Sequence, residues 1–351
     1  MTGRAHARPV VMAVRSCKLV QWISRVHRSM TVDSWGRTVK ALLVASRGGH
    51  LSELRLLASR LPGVTERTWV TFRGDQAGSL LHEERILYVD DVNPRSPLAT
   101  LSAYPLAASH VQLEQPDLVV STGASIALPY LAAARRARLP AIYIESAARG
   151  ASASLTGRLT RAIPGVKRYQ QHDPASSGWR YAGSVFDPFA RAAPERPGAG
   201  TPLRVLVTLG TMPFPFDRLV SGLLAVLDES CEMAWQLGST RAPAPLPGIA
   251  FTSVAHDDLA RRIRSCDVLV THAGVGTILT ALETGKVPIV VPRRVAHGEH
   301  VDDHQVITSD YLSNRGLVIR VEAEALTLAA LREAACGRVS MTATTPPLAF
   351  R

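Results

Sequence analysis

The chain has little with which to staple or anchor itself. Its four cysteines, Cys17, Cys231, Cys266 and Cys336, stand without CxxC or histidine-linked spacing, so no disulfide framework and no zinc site is expected. Reduced thiols fit a cytosolic protein. No apolar run is long enough to span a bilayer, and the apolar patch at 10–14, ending at Arg15, is too short for a signal-peptide core. There is no GxxxxGK[ST] segment, which excludes a P-loop NTPase, and kinase signatures are absent. No G-x-G-x-x-G has an acid about 20 residues further on, which argues against a nicotinamide cofactor. Aromatics make up only 5% of the 351 residues.

Acidic residues are also in deficit, leaving a net charge of +11. Residues 1–40 carry a balance of +7 of this, from eight Lys/Arg against Asp33 alone. The basicity therefore belongs to an N-terminal arm and not to a face of the globular part, which argues against nucleic-acid binding. The arm, residues 1–38, reads as a disordered tail, as a basic segment drawn to anionic lipid, or as an extension upstream of a start at Met30.

What the sequence does contain is an Ala-, Leu- and Val-rich α/β pattern long enough for two domains. Residues 268–284, VLVTHAGVGTILTALET, read as a buried strand, a Gly turn and a helix opening at Thr277. Such a turn presents free backbone N–H groups and the positive end of a helix dipole, a cradle for phosphate. A second unit of the same kind begins the ordered chain. The strand candidate 39–45 is followed by Ser46-Arg47-Gly48-Gly49-His50 and a helix with Leu51, Leu54, Leu57 and Leu61 at helical spacing.

Residues 117–145 and 267–292 share one order: Asp, apolar strand, Ser/Thr, Gly turn, helix, basic residue, Pro, apolar strand. Two copies about 150 residues apart predict twin doubly wound domains, 39–186 and 203–351. Residues 187–202, rich in Pro, Gly and Ala, read as the linker. Asp257-Asp258 read as a helix cap and 293–305 as an irregular polar loop. Ligands of such sheets lie at the carboxyl ends of the strands, so the crevice between the domains is the expected site. The loop Gly298–Gln305, GEHVDDHQ, gathers His300, Asp302, Asp303, His304 and Gln305. That mixture of donors and acceptors suits a polyhydroxylated ligand better than a metal, since no second cluster completes a metal site.

These stretches carry a resemblance. Residues 207–220, 271–293 and 298–305 resemble the donor-binding domain of glycosyltransferase family 28, most closely the catalytic subunits of bacterial capsule and exopolysaccharide transferases. Residues 46–54 (SRGGHLSEL), 121–129 (STGASIALP) and 142–159 resemble the acceptor-binding, membrane-recruiting partner subunit, found also in the eukaryotic dolichol-linked N-acetylglucosamine transferase. Both subunits would here be fused, making a separate partner unnecessary.

The resemblance implies a GT-B fold, two Rossmann-like domains facing a cleft. It implies inverting transfer of a hexose-type sugar from a UDP-sugar to a polyprenyl-diphosphate-linked saccharide in cell-surface polysaccharide synthesis. The enzyme would sit at the inner face of the membrane, on an anionic surface, with no cofactor and no metal, in keeping with the missing Asp-x-Asp motif. Donor binding falls by resemblance to Gly210, Thr211, His272, Ala273, Gly274, Gly276, Thr277, Glu283, Asp303, His304 and Gln305. Glu283 enters because relatives carry a ribose-gripping Glu where this chain has Thr280. Acceptor binding falls to Arg47, Gly48, Gly49, Thr122, Gly123, Glu145 and Arg149. His50 is the candidate base, the rival reading being that residues 47–50 only bind the acceptor diphosphate. A UDP-N-acetylglucosamine 2-epimerase and an inactive GT-B scaffold are the alternatives.

Overall fold

The computed structural model describes residues 38–91, 97–150, 152–172, 179–195, 202–242, 245–342 and 344–350. The basic arm lies outside them. The first half contributes β1 (Val39–Ala45), β2 (Val64–Phe72), β3 (Arg85–Val89), β4 (Leu118–Gly123), β5 (Ala141–Ile144), β6 (Val166–Gln170) and β7 (Arg180–Tyr181). These make one parallel sheet in the order β3-β2-β1-β4-β5-β6-β7. After β8 (Phe189–Ala192), the second half adds β9 (Leu203–Thr208), β10 (Cys231–Gln236), β11 (Ile249–Phe251), β12 (Val268–His272), β13 (Ile289–Val291) and β14 (Ile319–Arg320). They repeat the same order, β11-β10-β9-β12-β13-β14, again all parallel. Both sheets are Rossmann-like, and each reverses direction once, between β1 and β4 and between β9 and β12.

The local sequence explains the strands. β1, β4 and β12 are short apolar runs buried along most of their length, as strands covered by helices on both faces must be. The repeated polar residues serve as fasteners. Asp117, just before β4, accepts from Lys40 N at 3.0 Å, and Asp267, just before β12, accepts from Arg204 N at 2.9 Å. At the far ends, Ser121 Oγ donates to Val44 O at 2.7 Å and Thr271 Oγ1 to Thr208 O at 3.1 Å. The shared Asp and Ser/Thr thus register the two central strand pairs, satisfying backbone groups at each end of the switch point.

Three local readings change. Asp257 and Asp258 lie within the first turn of the helix His256–Ser265, whose N-cap is Ala255; they favour the dipole and do not cap. The stretch read as a linker contains β8, which pairs antiparallel with β15 (Arg338–Met341). The last residues also return to the first half. Leu348 N donates to Arg60 O at 3.0 Å, Ala349 N donates to Ala182 O at 2.9 Å, and the rings of Phe350 and Tyr169 lie 4.9 Å apart.

Candidate active site

Two helices define the cleft. Gly49–Ala58 follows β1 and Val275–Glu283 follows β12, each beginning at the carboxyl end of its sheet beside the switch point. Neither has a side-chain cap and neither has an acid in its first turn. Their N-termini meet glycine to glycine: a Cβ on Gly276 would stand 3.4 Å from Gly49 Cα and 3.5 Å from Gly49 N. Two partial positive charges of like sign therefore face each other, with Gln76 Oε1 accepting from Gly48 N at 2.6 Å and Glu53 Oε1 3.9 Å from where a Cβ on Gly49 would stand. An anion at this junction turns a repulsion into a double attraction.

On the second half, the His272 ring lies between Gly210 and Gly274. A Cβ on Gly210 would meet its Cε1 at 2.6 Å, and one on Gly274 would meet its Nε2 at 2.3 Å. Burial and the charge of Arg293 depress His272 to about 3, so the ring is neutral at physiological pH. Gly210 is fully engaged, its N–H donating to Gln236 Oε1 at 3.0 Å and its carbonyl accepting from Gln236 Nε2 at 2.9 Å. Gln305 Oε1 accepts from Ala273 N at 3.2 Å and from Arg293 N at 3.1 Å, tying the 298–305 loop to the cradle. Asp303 accepts from Val295 N at 3.0 Å, and His304 Nδ1 is hydrogen-bonded to Asp302. His300, Asp302 and His304 bring potential ligand atoms within 4.8 Å of one another. Asp302, however, is already shared between His304 and Arg149, whose Nη1 lies 2.5 Å from it. Both oxygens of this carboxylate are therefore engaged by charge-assisted hydrogen bonds.

On the first half, Thr122 Oγ1 donates to His50 O at 2.9 Å. Gly123 has φ +112, and a Cβ there would lie 3.0 Å from His50 Cε1, so only glycine fits beside the ring. Burial lowers His50 to about 4, and its Nδ1 has no partner among the described residues. Arg47 is turned to Asp91 and to Arg73 O at 3.3 Å. Glu145 is buried, accepting from Ser154 N at 2.9 Å and Tyr143 Oη at 3.1 Å, and so braces its own loop.

Residues 204–335 match the glycosyltransferase family 28 C-terminal domain. The chain is a glycosyltransferase. It is 27% identical over 260 residues to the UDP-N-acetylglucosamine–N-acetylmuramyl-(pentapeptide) pyrophosphoryl-undecaprenol N-acetylglucosamine transferase of Thiobacillus denitrificans, covering 69% of this chain and 70% of the relative. Other relatives of that description align over 63–73% of their own length. Its fold resembles the MurG structure of Acinetobacter baumannii (TM-score 0.51, 20% identity, 85% of this chain and 89% of that one). It also resembles the glycosyltransferase SnogD of Streptomyces nogalater (TM-score 0.54, 22% identity, 85% and 93%). The two Rossmann-like halves are those of a GT-B fold.

In this glycosyltransferase most of the residues expected at the site do converge on the cleft, but several of their polar groups are already engaged. Gly48, Gly49, His50, Thr122 and Gly123 lie together on the first half, and His272, Ala273, Gly274, Gly276 and Thr277 on the second. Thr211 is exposed beside Gly210. Glu283 is the clearest departure. It is paired with Arg55 across the cleft, while Thr280 Oγ1 bonds back to Gly276 O at 3.0 Å. Glu283 lies in the helix's last turn, facing the other helix, and so is not offered to a ribose in this arrangement.

Sequence reading missed Glu53 altogether. It is fully buried and accepts from Ser146 Oγ at 2.6 Å, Gln171 Nε2 at 2.7 Å and Ala147 N at 2.9 Å, holding the loop that carries Arg149. Burial raises it to about 7 against those three donors, with the charge of Glu145 adding in the same direction. A raised carboxyl stabilises the fold fully below about 4.5 and loses that contribution as pH rises through 7, about 3 kcal/mol in all. Buried histidines titrate nearby with the opposite sign, so the comparison is with Glu53→Gln. The parent's stability relative to that variant, from urea midpoints, should fall steadily between pH 5 and pH 8. A difference that stays flat with pH would show that Glu53 titrates normally.

The two adjacent loop residues should also separate. His304→Ala is expected to reduce turnover with little change in UDP affinity. Gln305→Ala, which frees Ala273 N at the cradle, should weaken UDP binding itself by about five- to tenfold, the worth of one hydrogen bond. Isothermal titration with UDP distinguishes the two, and equal affinities would contradict the tie.

Proposed function

We propose that this glycosyltransferase moves a hexose-type sugar, with inversion, from a UDP-sugar to a polyprenyl-diphosphate-linked saccharide in cell-surface polysaccharide synthesis. One observation carries the reading: the two uncapped helix N-termini that meet at Gly49 and Gly276. A donor diphosphate and an acceptor diphosphate are two anions that must be brought together, and the halves supply one cradle each. N–H groups of residues 275–277 would offset charge developing on the departing UDP, which is work otherwise done by a divalent ion. This favours a reaction without metal or organic cofactor. The relatives' donor and undecaprenyl-linked acceptor belong to the same chemical classes. The order of the motifs supports a fusion of the acceptor-binding and catalytic units, so that no further subunit is needed.

His50 is the proposed base. It is neutral, and its Nδ1, buried against Gly123 near the carboxyl end of β1, has no partner among the described residues; to act as base it would be uncovered as the acceptor hydroxyl arrives. Neighbouring acceptor diphosphate would favour the imidazolium that forms.

We also place the first half against an anionic membrane surface at the inner face of the cell membrane. No helix among the described residues is long and apolar enough to cross a bilayer. Leu98, Leu101, Leu155 and Leu159 are exposed on the helices Pro97–Ser102 and Leu155–Leu159, each of which packs against Ala127–Arg136. Arg136, Arg138, Arg158 and Arg161, at or next to the C-terminal ends of Ala127–Arg136 and Leu155–Leu159, are exposed as well. Apolar anchors together with exposed arginines suit such a surface.

The test is UDP release from a panel of UDP-sugars by the full chain, with and without a polyprenyl-diphosphate-linked sugar. Release that depends on the acceptor supports the transferase. Release without acceptor, accompanied by a C2-epimerised sugar, would point to an epimerase, and no UDP binding at all to a scaffold.

A further inference from the structure

The second half meets the loop at residues 146–150 of the first half through the helix His304–Asn314 and the residues just before it. Thr308 Oγ1 donates to Ala148 O at 3.2 Å, and the rings of His172 and Tyr311 pack edge-on with centroids 4.6 Å apart. At the head of this contact stand three groups in line. Arg149 Nη1 is 2.5 Å from Asp302 Oδ2, and Asp302 Oδ1 is hydrogen-bonded to His304 Nδ1. Asp302 Oδ1 also accepts from His304 N at 3.4 Å. A carboxylate can only accept, so the proton in the Asp302–His304 bond is the ring's own. The neutral imidazole is then protonated on Nδ1 and its lone pair lies on Nε2. The adjacent His300 has its Nδ1 3.4 Å from Asp302 N and 3.5 Å from Asp302 Oδ1.

We propose that Asp302 and Arg149 are a positioning pair spanning the two halves. Asp302 fixes the His304 tautomer so that Nε2 accepts from a hydroxyl of the donor sugar, and Arg149 holds Asp302 in place only while the acceptor half is engaged. The proposal rests on the transferase reading. It deepens it by making donor-sugar recognition depend on a residue of the acceptor-binding half. Without Arg149 the carboxylate is free to turn; without Asp302 the ring is free to exchange tautomers. The groups facing His304 are Asp302, Arg149, His300 and, across the cradle, His272. Asp302 is the one carboxylate among them. Glu53, which holds Ser146 and Ala147, fixes the base of the loop from which Arg149 projects.

The experiment is a long-range proton–nitrogen spectrum of the histidine rings in the full chain at neutral pH, with His304→Gln to assign the signal. A ring protonated on Nδ1 is expected in the parent, and a mixture of tautomers in Asp302→Asn and in Arg149→Gln. An Nε2-protonated ring in the parent, or a signal unmoved in both variants, overturns the pairing. Turnover gives the second readout. Asp302→Asn should lower kcat about tenfold or more, while the thermal shift given by UDP alone is unchanged. The acid limb of its pH profile should move to lower pH, because the carboxylate charge that favours the imidazolium is gone. A merely structural role would lower stability and leave that limb in place. If the parent itself shows no acceptor-dependent release of UDP, the transferase reading fails, and the ring spectrum still decides the positioning pair.

Discussion

Gly276→Asp is expected to abolish UDP binding while leaving the fold as stable as the parent or slightly more so. The new Cβ would sit 3.4–3.8 Å from Gly49 and Gly48 backbone atoms, in ordinary van der Waals contact. A carboxylate in the first turn of Val275–Glu283 interacts favourably with the helix dipole, by about 0.3–1 kcal/mol. The same carboxylate occupies the anion's place and repels it. Transfer should fall by about a hundredfold or more, the scale of losing a preorganised anion-stabilising group. Gly276→Ala is the control, since it adds the Cβ without the charge and should keep most of the UDP affinity. Thermal shifts of both variants with UDP decide the matter. If Asp binds UDP as Ala does, the junction of the two helix N-termini is not the diphosphate site.

Arg293→Met should destabilise the protein by about 3 kcal/mol or more. Arg293 is buried at the end of β13, and its guanidinium donates to Phe214 O at 2.7 Å, Pro215 O at 2.9 Å and Leu209 O at 2.7 Å while stacking 4.5 Å over the Phe216 ring. Its loss strands the buried Leu209 carbonyl, at about 1–3 kcal/mol, leaves the partly buried Phe214 and Pro215 carbonyls without this donor, and removes the stacking on Phe216. Burial lowers its basicity to about 10, so it remains charged at neutral pH and adds positive potential beneath the donor cradle. UDP affinity should therefore fall along with stability. Arg293→Lys keeps the charge but not the planar fork, so it should rescue UDP binding more than stability. Denaturant titration with and without UDP separates the two effects. A loss of less than about 1 kcal/mol would mean that the 209–216 loop is held by other contacts.

The sequence by itself determined the twin sheets and the two strand–glycine turn–helix units, because those depend on neighbours within a few residues. Apolar runs at 39–45 and 268–272, leucines at helical spacing, and the paired Asp117 and Asp267 are local signals with local consequences. The cradle glycines were legible for the same reason, although their necessity was not: Gly210 and Gly274 are required by the His272 ring between them, a contact spanning about sixty residues. Only the tertiary structure decided how charged groups are used. Glu283 reads as free on a helix face until Arg55, 228 positions away, is placed beside it. Asp302 looks like one of two equivalent acids, yet Arg149 reaches it and Asp303 is taken by Val295 N. Glu53 looks like a solvated helix acid and is instead buried. A charge in a sequence carries no record of its partner, since Coulombic and hydrogen-bond pairing is set by distance in space and has no period along the chain. Hydrophobic burial does have one, and it is there that the sequence speaks.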